Sequence, residues 1–406
     1  MSESSIPFGG HRLARWAVAT YKSFRMSWIA IKMLLGDRGK YVGIICGVSF
    51  ATLLMAQQAA IFCGLMLRTG AQIRDIQGAD IWVMDPNIQF VDDVKPLSEN
   101  DVYRVRGVPG VKWAVRLYKG LSRARLQDGT FQQAILIGVD DGTLVGAPRV
   151  METGKLADLF QPDAVIIDDA GVQMLWPGER GRVGMSFEMN DRRAVLVGIC
   201  ASSRTFQTFP IVYTRFNQAM TYVPPERKVV SFVLTQGADG IPPREVCRRI
   251  EAQTGLKALT RQDFARMTIM YFITKTGIPF NFGITVLLGF IVGTAITAQT
   301  FYLFTLENLK QFGTLKAMGA TNLRIVGMIV LQAAMVGVIG FGLGIGAAAI
   351  FGELSKGASK LAFYMPWEVM AITAGLVAFM LVLSSVFSVR RVLVLEPAIV
   401  FQGVNA

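Results

Sequence analysis

The side chains that most often do chemistry are scarce or scattered in this sequence. There is one histidine, His11, which excludes a histidine-rich metal cluster and any intramolecular His-x3-His site. The four cysteines, Cys46, Cys63, Cys200 and Cys247, match no zinc or redox spacing. Cys46 and Cys63 stand in an apolar run and read as buried small hydrophobes. Cys200 and Cys247 would pair only in an oxidising compartment, and each also reads as an ordinary buried residue. Three acidic pairs, Asp92-Asp93, Asp140-Asp141 and Asp168-Asp169, have the composition of a metal or acid–base site. With no histidine nearby and turn-rich flanks, they read as loop surface. A phosphate-cradling loop needs G-x4-G-K-[ST], so that backbone amides hold phosphates and a hydroxyl holds magnesium. The two Gly-Lys pairs, Gly39-Lys40 and Gly154-Lys155, are followed by Tyr41 and Leu156. The expectation is a chain with no catalytic residue, no metal and no cofactor of its own. No substrate-binding residue is legible.

One segment carries a pattern of another kind. Residues 307–324 read ENLKQFGTLKAMGATNLR. Leu315 and Met318, with Phe312 behind them, recur at i, i+3 and i+6 and so share a helical face. Gly319 is a good helix stop, and Thr321 can cap the helix that follows. The segment is either a plain connector or a short helix that docks into a partner with Leu315 and Met318 as anchors.

The elements that position this segment follow from composition. The 406 residues are 52% hydrophobic and only 17% charged, with a mean hydropathy of +0.42. Soluble domains run nearer a quarter charged. This excludes a disordered, collagen-like or disulfide-stapled chain and points to several membrane spans. Four stretches are near or above the roughly 20 residues that cross a bilayer: 42–67, 278–306, 325–351 and 367–389. Gly289/Gly293, Gly340/Gly344 and Gly342/Gly346 are small-xxx-small pairs for close helix approach, within one subunit or between two. Gln57 and Gln58 face either a bundle interior or the outer headgroups. Lys275 and Asn281 reach the interface.

The net charge of +12 fits either nucleic acid or the cytoplasmic flanks of a membrane protein. Its distribution decides. Residues 1–41 hold Arg12, Arg15, Lys22, Arg25, Lys32, Arg38 and Lys40. The 307–324 loop holds Lys310, Lys316 and Arg324, and the tail 390–406 holds Arg390 and Arg391. The loop 352–366 has Lys356 and Lys360, offset by Glu353. The bias places both termini and the 307–324 loop in the cytoplasm. Residues 68–275 then lie outside, with 27 basic and 23 acidic residues, which is ordinary mixed surface and no nucleic-acid patch. The first long apolar stretch begins only after forty mostly polar residues, as in an uncleaved signal anchor.

The outer segment reads as a folded α+β domain. Strands are expected at 79–84, 111–117, 134–139, 164–167, 193–198 and 229–234. Helices are expected at 97–105, where Ser98 and Asp101 have capping-box spacing, and at 243–254, between Pro-Pro and Gly255. The middle, about 135–225, reads as a strand-rich insertion. The fold class is therefore membrane α-helical, with four transmembrane helices and a large extracytoplasmic α+β domain inserted between the first and second.

At this point the sequence resembles a known family. The stretch from Glu307 to Thr321 resembles the E-x5-G-x-L-K-A-[LM]-G-A-T signature of FtsX-like permeases, of the macrolide-exporter and lipoprotein-release class of ABC transporters. Trp28-Ile-Ala-Ile-Lys-Met-Leu-Leu-Gly-Asp-Arg-Gly-Lys40 is similar to the family's basic amphipathic approach to its first span. Arg390-Arg391, with Glu396-Pro397-Ala398, is similar to its RR-x4-[DE]-P-A exit. The order of one span, a large outer domain and three spans also fits. Among branches, the chain most resembles DevC-type exporters.

The resemblance implies partners. A separate ABC ATPase subunit, as a homodimer, would bind ATP and magnesium and hydrolyse ATP. A second permease copy would complete a dimer. A periplasmic membrane-fusion adaptor and an outer-membrane channel would be further partners of a DevC-like exporter in a bacterial inner membrane. The coupling residues carried over are Glu307, Lys310, Phe312, Gly313, Leu315, Lys316, Met318, Gly319 and Thr321. The implied function is mechanotransmission, in which ATP-driven closure moves the loop helix and the outer domain expels a hydrophobic or amphipathic substrate. A rival within the family is lipoprotein release or regulation of cell-wall hydrolases. A rival of another class is a membrane-anchored receptor that uses 68–275 as a binding module.

Overall fold

The computed structural model describes residues 28–34, 36, 38–76, 78–178, 181–358 and 361–393. The chain divides into two units, residues 1–64 with 279–406, and residues 65–278. The first is helical. Its long elements are α1 (Arg38–Thr69), α8 (Ile278–Glu307), α10 (Asn322–Ala358) and α11 (Trp367–Leu393). Each is long and apolar enough to cross a membrane. They overrun the expected spans of 42–67, 278–306, 325–351 and 367–389, because a helix need not stop where hydrocarbon does. At 1.5 Å per residue, the 37 residues of α10 extend about 55 Å. The turn expected over 352–366 is correspondingly shorter.

The four helices share one core of Val48, Ala51 and Met55 from α1, Phe301 and Phe304 from α8, Val336 from α10, and Met380 from α11. Glycine lets them approach. A Cβ on Gly340 would lie 2.8 Å from Val48 Cβ, and one on Gly344 2.6 Å from the Ser49 carbonyl oxygen. Gly289 packs at Leu54, and Gly293 against Ala51. Two of the three small-residue pairs therefore serve packing within the subunit. Gly342 and Gly346 meet nothing within 4 Å. Hydroxyls inside these helices return their protons to the preceding turn, as from Thr52 to the Val48 carbonyl and Ser384 to Met380, both at 2.8 Å. That leaves fewer unsatisfied polar groups in hydrocarbon. Cys46 is exposed and Cys63 half-buried, so neither is the buried residue expected. An apolar side chain facing lipid has the same composition as one facing the core.

The second unit is built on a ten-stranded sheet. Its strands are β1 (Ile81–Met84), β2 (Val111–Arg125), β3 (Phe131–Val139), β4 (Val150–Thr153), β5 (Ala164–Asp168), β6 (Ser186–Met189), β7 (Arg192–Ala201), β8 (Ile211–Arg215), β9 (Phe232–Gly237) and β10 (Lys257–Thr260). The order is β10-β1-β9-β2-β3-β8-β5-β7-β4, with β6 pairing β2 and β7. The fifteen-residue β2 belongs to both halves. Its first part pairs β9 and its second part pairs β3. The strand-rich portion thus begins within β2, ahead of the expected 135.

Side chains alternate across a strand, and each face of this sheet has its own core. Ala114, Tyr118, Ala134 and Leu136 face one way, with Val102 and Val105 of α3 (Glu99–Arg106) and Val246 and Ile250 of α6 (Pro243–Thr254). Val115, Leu117, Ile135 and Ile137 face the other, with Trp82, Phe232 and Phe264. Trp82 lies 5.3 Å from Phe232 and 5.4 Å from Phe264 between ring centres. Ser98 and Asp101 form the expected capping box on α3. Gly255 ends α6 in the left-handed conformation, at φ +68°. Cys200 and Cys247 are unpaired and belong to opposite faces. Burial pushes both thiols up to about 12, which makes them unreactive.

Two short helical segments of this unit pack together, α2 (Ala71–Asp75) and α7 (Arg261–Lys275). Gly70 sits against the Ala265 backbone. Asp75 accepts from the Ser203 amide at 2.6 Å and its hydroxyl at 3.1 Å. Phe90 stacks on Tyr271 at 4.4 Å, and Phe206 meets Phe272 at 5.0 Å. Helices and loops are thereby fixed to one another within the unit. The remaining helices, α4 (Asp169–Leu175) and α5 (Phe216–Ala219), are short.

Candidate functional site

The segment after α8 is almost wholly helical. Asn308 interrupts the chain for one residue before α9 (Leu309–Ala317) begins. Its Nδ2 donates to the Phe304 carbonyl at 2.8 Å, and its amide donates there at 3.2 Å. Its own carbonyl accepts from Phe312 at 3.0 Å. Asn308 thus hands the hydrogen-bond ladder of the membrane helix to α9. The sequence signal for this hand-over is the asparagine that follows Glu307 at the end of the apolar run.

The far end of α9 closes as a Schellman turn. Ala320 N–H donates to Leu315 and Gly319 N–H to Lys316, both at 2.9 Å, with Gly319 at φ +88°. Only glycine adopts this conformation at little cost. Thr321 then precedes α10, and its carbonyl accepts from Arg324 and Ile325. The stop at Gly319 and the start after Thr321 are as the sequence implied.

The apolar face of α9 is shifted by one turn. Leu309, Phe312 and Leu315 form the stripe, and it turns inward against Ile325 and Ile329 of α10, with Met33 and Val389 alongside. Phe312 is fully buried. Met318, at the end of α9, is 71% exposed, and Leu323, in the first turn of α10, is 82% exposed. The expected Leu315–Met318 pair is therefore divided. Leu315 belongs to the chain's own packing and Met318 to its surface. The partners of the stripe come from α10, which the periodicity of α9 cannot show.

The other motif residues fall around this core. Gly313 is buried, Lys316 is half-buried, and Lys310 and Thr321 are exposed. Glu307 forms an ion pair with Lys40 at the start of α1. Val389 brings the last turns of α11 to the cluster, and Arg390 and Arg391 continue that helix. Glu396 and Pro397 lie outside the described residues. The helical residues 28–34 also reach this end, where Gln332 Nε2 donates to the Ala30 carbonyl at 2.8 Å. Gln332 stands in an apolar run as visibly as Gln57 and Gln58, which are half-buried. At the opposite end, the Tyr364 amide donates to Ala60 at 3.1 Å. The start of α1, the end of α8, α9, the start of α10 and the end of α11 therefore share one end of the helical unit.

The acidic pairs do structural work. Asp92 pairs with Lys119, and Asp93 accepts from the Gln89 amide at 3.1 Å. Asp140 caps its own turn through Thr143, at 2.9 Å to the amide and 2.7 Å to the hydroxyl. Asp141 holds Arg116 at 3.0 Å, and that guanidinium lies 4.3 Å over Phe216. Asp168 departs from the loop-surface expectation. It is buried at the end of β5 and accepts from the Ile211 amide at 2.7 Å. Burial pushes its carboxyl up to about 6, against the pull of that amide. No cluster of three or more metal-ligating side chains occurs among the described residues.

Residues 283–397, which contain α9 and its surroundings, match the FtsX-like permease C-terminal domain. Over this stretch the chain is similar to the FtsX-like permeases. An uncharacterized ABC transporter permease of Mycobacterium tuberculosis is 26% identical to this chain over 336 residues, covering 81% of this chain and 86% of the relative. Another, from Mycobacterium bovis, is 25% identical over 315 residues, covering 76% and 80%. The chain is also similar to the extracellular domain of the ABC-type transporter YknZ from Gram-positive bacteria. That match has a TM-score of 0.34 and 17% identity, over 45% of this chain and 98% of that one. The periplasmic region of MacB from Actinobacillus actinomycetemcomitans gives 0.36 and 12%, over 48% and 94%.

Proposed function

We propose that this chain is the membrane subunit of a mechanotransmission ABC transporter, and that α9 is the element a cytoplasmic ATPase moves. The observation that carries the reading is the divided character of α9. Its Leu309–Phe312–Leu315 stripe is locked onto α10, while Met318 and Leu323 stay exposed beside it. A helix of nine residues is marginal in water on its own. Anchoring on α10 makes it stiff, and exposed apolar side chains give a partner something to bury. Displacement of such an element biases a two-state helix arrangement rather than bending one helix.

In this reading the ATPase is a separate homodimeric subunit that holds ATP and magnesium. The permease acts as a dimer in a bacterial inner membrane with both termini cytoplasmic. The outer domain expels a hydrophobic or amphipathic substrate, such as a lipid, glycolipid or drug-like molecule. A periplasmic adaptor and an outer-membrane channel would complete the path. The Lys and Arg of the α9 side support the cytoplasmic placement.

The test is co-purification with the ATPase subunit. Met318→Asp/Leu323→Asp removes two apolar contacts, each worth about 1.5–3 kcal/mol if fully buried, and puts charge in their place. The expected result is loss of ATPase association with the thermal midpoint unchanged. Full retention of association and transport by the double variant would reduce the segment to a connector. Single cysteines at the exposed Lys155 and Thr314, in a background without the native four, should label from opposite sides of the membrane.

A further inference from the structure

The β2–β3 hairpin carries a face whose character changes along its length. Lys119, Leu121, Arg123 and Arg125 share one side of β2 by alternation. Their cross-strand neighbours on β3 are Ile137, Ile135, Gln133 and Phe131. Toward the root this side is core, and Leu117 and Ile137 are fully buried. Toward the tip it opens, with Leu121 39% and Phe131 66% exposed.

Two adjoining recesses run along this side and share Leu121 and Arg227. The inner one, about 430 Å³, has Val94, Pro96, Leu121, Ile135 and Val229 among its apolar lining. At its inner end the Lys119 side chain is only 4% exposed, paired with Asp92 and within 3.3 Å of the Val91 carbonyl. The outer one, about 540 Å³, has Arg123, Arg125, Arg227, Phe131 and Tyr222 on its walls. Both volumes lie in the range of small-ligand sites, not of flat protein contacts.

The charges in the outer recess are only partly answered. Arg125 lies 3.5 Å from Glu188 and 6.0 Å from the Phe131 ring centre. Arg227 donates to the Leu121 carbonyl at 3.2 Å. Among the described residues, Arg123 and Arg227 form no ion pair. Asp191 lines the outer recess and Glu226 the inner one, both outside salt-bridge distance of these arginines. Guanidinium groups in this state match phosphate or carboxylate oxygens. The apolar strip beside them continues inward along Leu121 and Ile135.

We propose that this side of the hairpin binds an anionic amphiphile, its headgroup on Arg123 and Arg227 and its proximal chain along Leu121 and Ile135. This names a substrate class for the transport reading above and takes its physiological meaning from it. The headgroup chemistry is shared by phosphate and carboxylate, and the chain distinguishes a lipid from a free anion.

The experiment uses the full-length permease in phosphatidylcholine nanodiscs, with empty nanodiscs subtracted. The probe is decanoyl lysophosphatidic acid. Decanoyl lysophosphatidylcholine, glycerol 3-phosphate and an oligoglutamate peptide are the comparators. Saturable binding of the probe is expected, with each comparator weaker by about tenfold or more. Arg123→Gln/Arg227→Gln should weaken the probe by about tenfold, the scale of lost charge-assisted contacts. Leu121→Ser should weaken it while leaving glycerol 3-phosphate unchanged. Arg149→Gln, an equally exposed arginine elsewhere on the domain, should have no effect. Equal binding of the zwitterionic lipid, or unchanged binding by the double arginine variant, would overturn the proposal. Equal binding of oligoglutamate would overturn it in favour of acidic protein segments. None of these outcomes depends on ATPase association, so this proposal and the transport reading can fail separately.

Discussion

Gln332, buried in α10, donates to the Ala30 carbonyl across 302 residues of chain at 2.8 Å. The bond ties the helical residues 28–34 to the third span, where few other polar partners are at hand. Gln332→Leu should lower thermal stability in detergent by about 0.5–2 kcal/mol, the range for hydrogen bonds inside membrane proteins. It should also raise protease sensitivity before residue 38. An unchanged midpoint with unchanged cleavage would show that the bond contributes nothing.

Phe312 and Met318 lie six residues apart and should behave oppositely. Phe312→Ala empties a fully buried site and should cost about 3–5 kcal/mol. Met318→Ala touches an exposed side chain and should stay within about 0.5 kcal/mol of the parent. Its effect should appear in ATPase association instead. Thermal midpoints measured beside pull-down yields separate the two. Equal stability losses would mean that Met318 is part of the chain's own core.

Gly344 and Gly346 make a second opposed pair. Alanine raises helix propensity by about 1 kcal/mol over glycine. At Gly346, where nothing lies within 4 Å, that gain should be kept. At Gly344 the new methyl would lie 2.5 Å from Thr52 Cβ, and the helices must separate. Overpacking typically costs about 1–3 kcal/mol, so Gly344→Ala should be net destabilising. Monodispersity after a heating series is the measurement. A stable Gly344→Ala would place α10 farther from α1 than found here.

Asp168 should make the outer domain sensitive to pH. Its native carboxyl is pushed up to about 6 by burial, above the ordinary value of 3.8. The folded chain therefore holds the proton more tightly than the unfolded one. Stability falls as pH rises from about 4 to about 6 and then levels. About two pKa units correspond to about 3 kcal/mol as an upper figure. The difference in midpoint between the parent and Asp168→Asn, followed from pH 4 to 8, should show this slope in the parent alone. Parallel curves would assign the carboxyl an ordinary pKa.

How far the sequence could be read depended on the length of each signal. Spans of twenty or more apolar residues are unmistakable, and α6 was legible to its first and last residues because Pro243 starts it and Gly255 stops it. Strands β4, β6, β8 and β10 went unread. They have four or five residues each, too few to show a period, and β4, β6 and β10 mix polar with apolar side chains where the equally short β1 and β5 are mostly apolar runs. In the candidate site, the glycine stop and the threonine start were legible because they are local backbone chemistry. The facing of the stripe was not. Whether Leu315 meets α10 or a partner depends on where Ile325 and Ile329 fall in space, and no spacing within α9 encodes that.

The unbroken run of β2 has a mechanical corollary. Fifteen residues at about 3.3 Å each make a spoke about 50 Å long. It is laddered to β9 near its hub and to β3 near its rim. Hydrogen-bonded ladders resist sliding, so the two parts cannot swing separately. A rotation of only about 6° at the hub would sweep the rim through about 5 Å over that length. The arginines at the rim would then travel farther than anything at the hub, by leverage alone and without a hinge of their own.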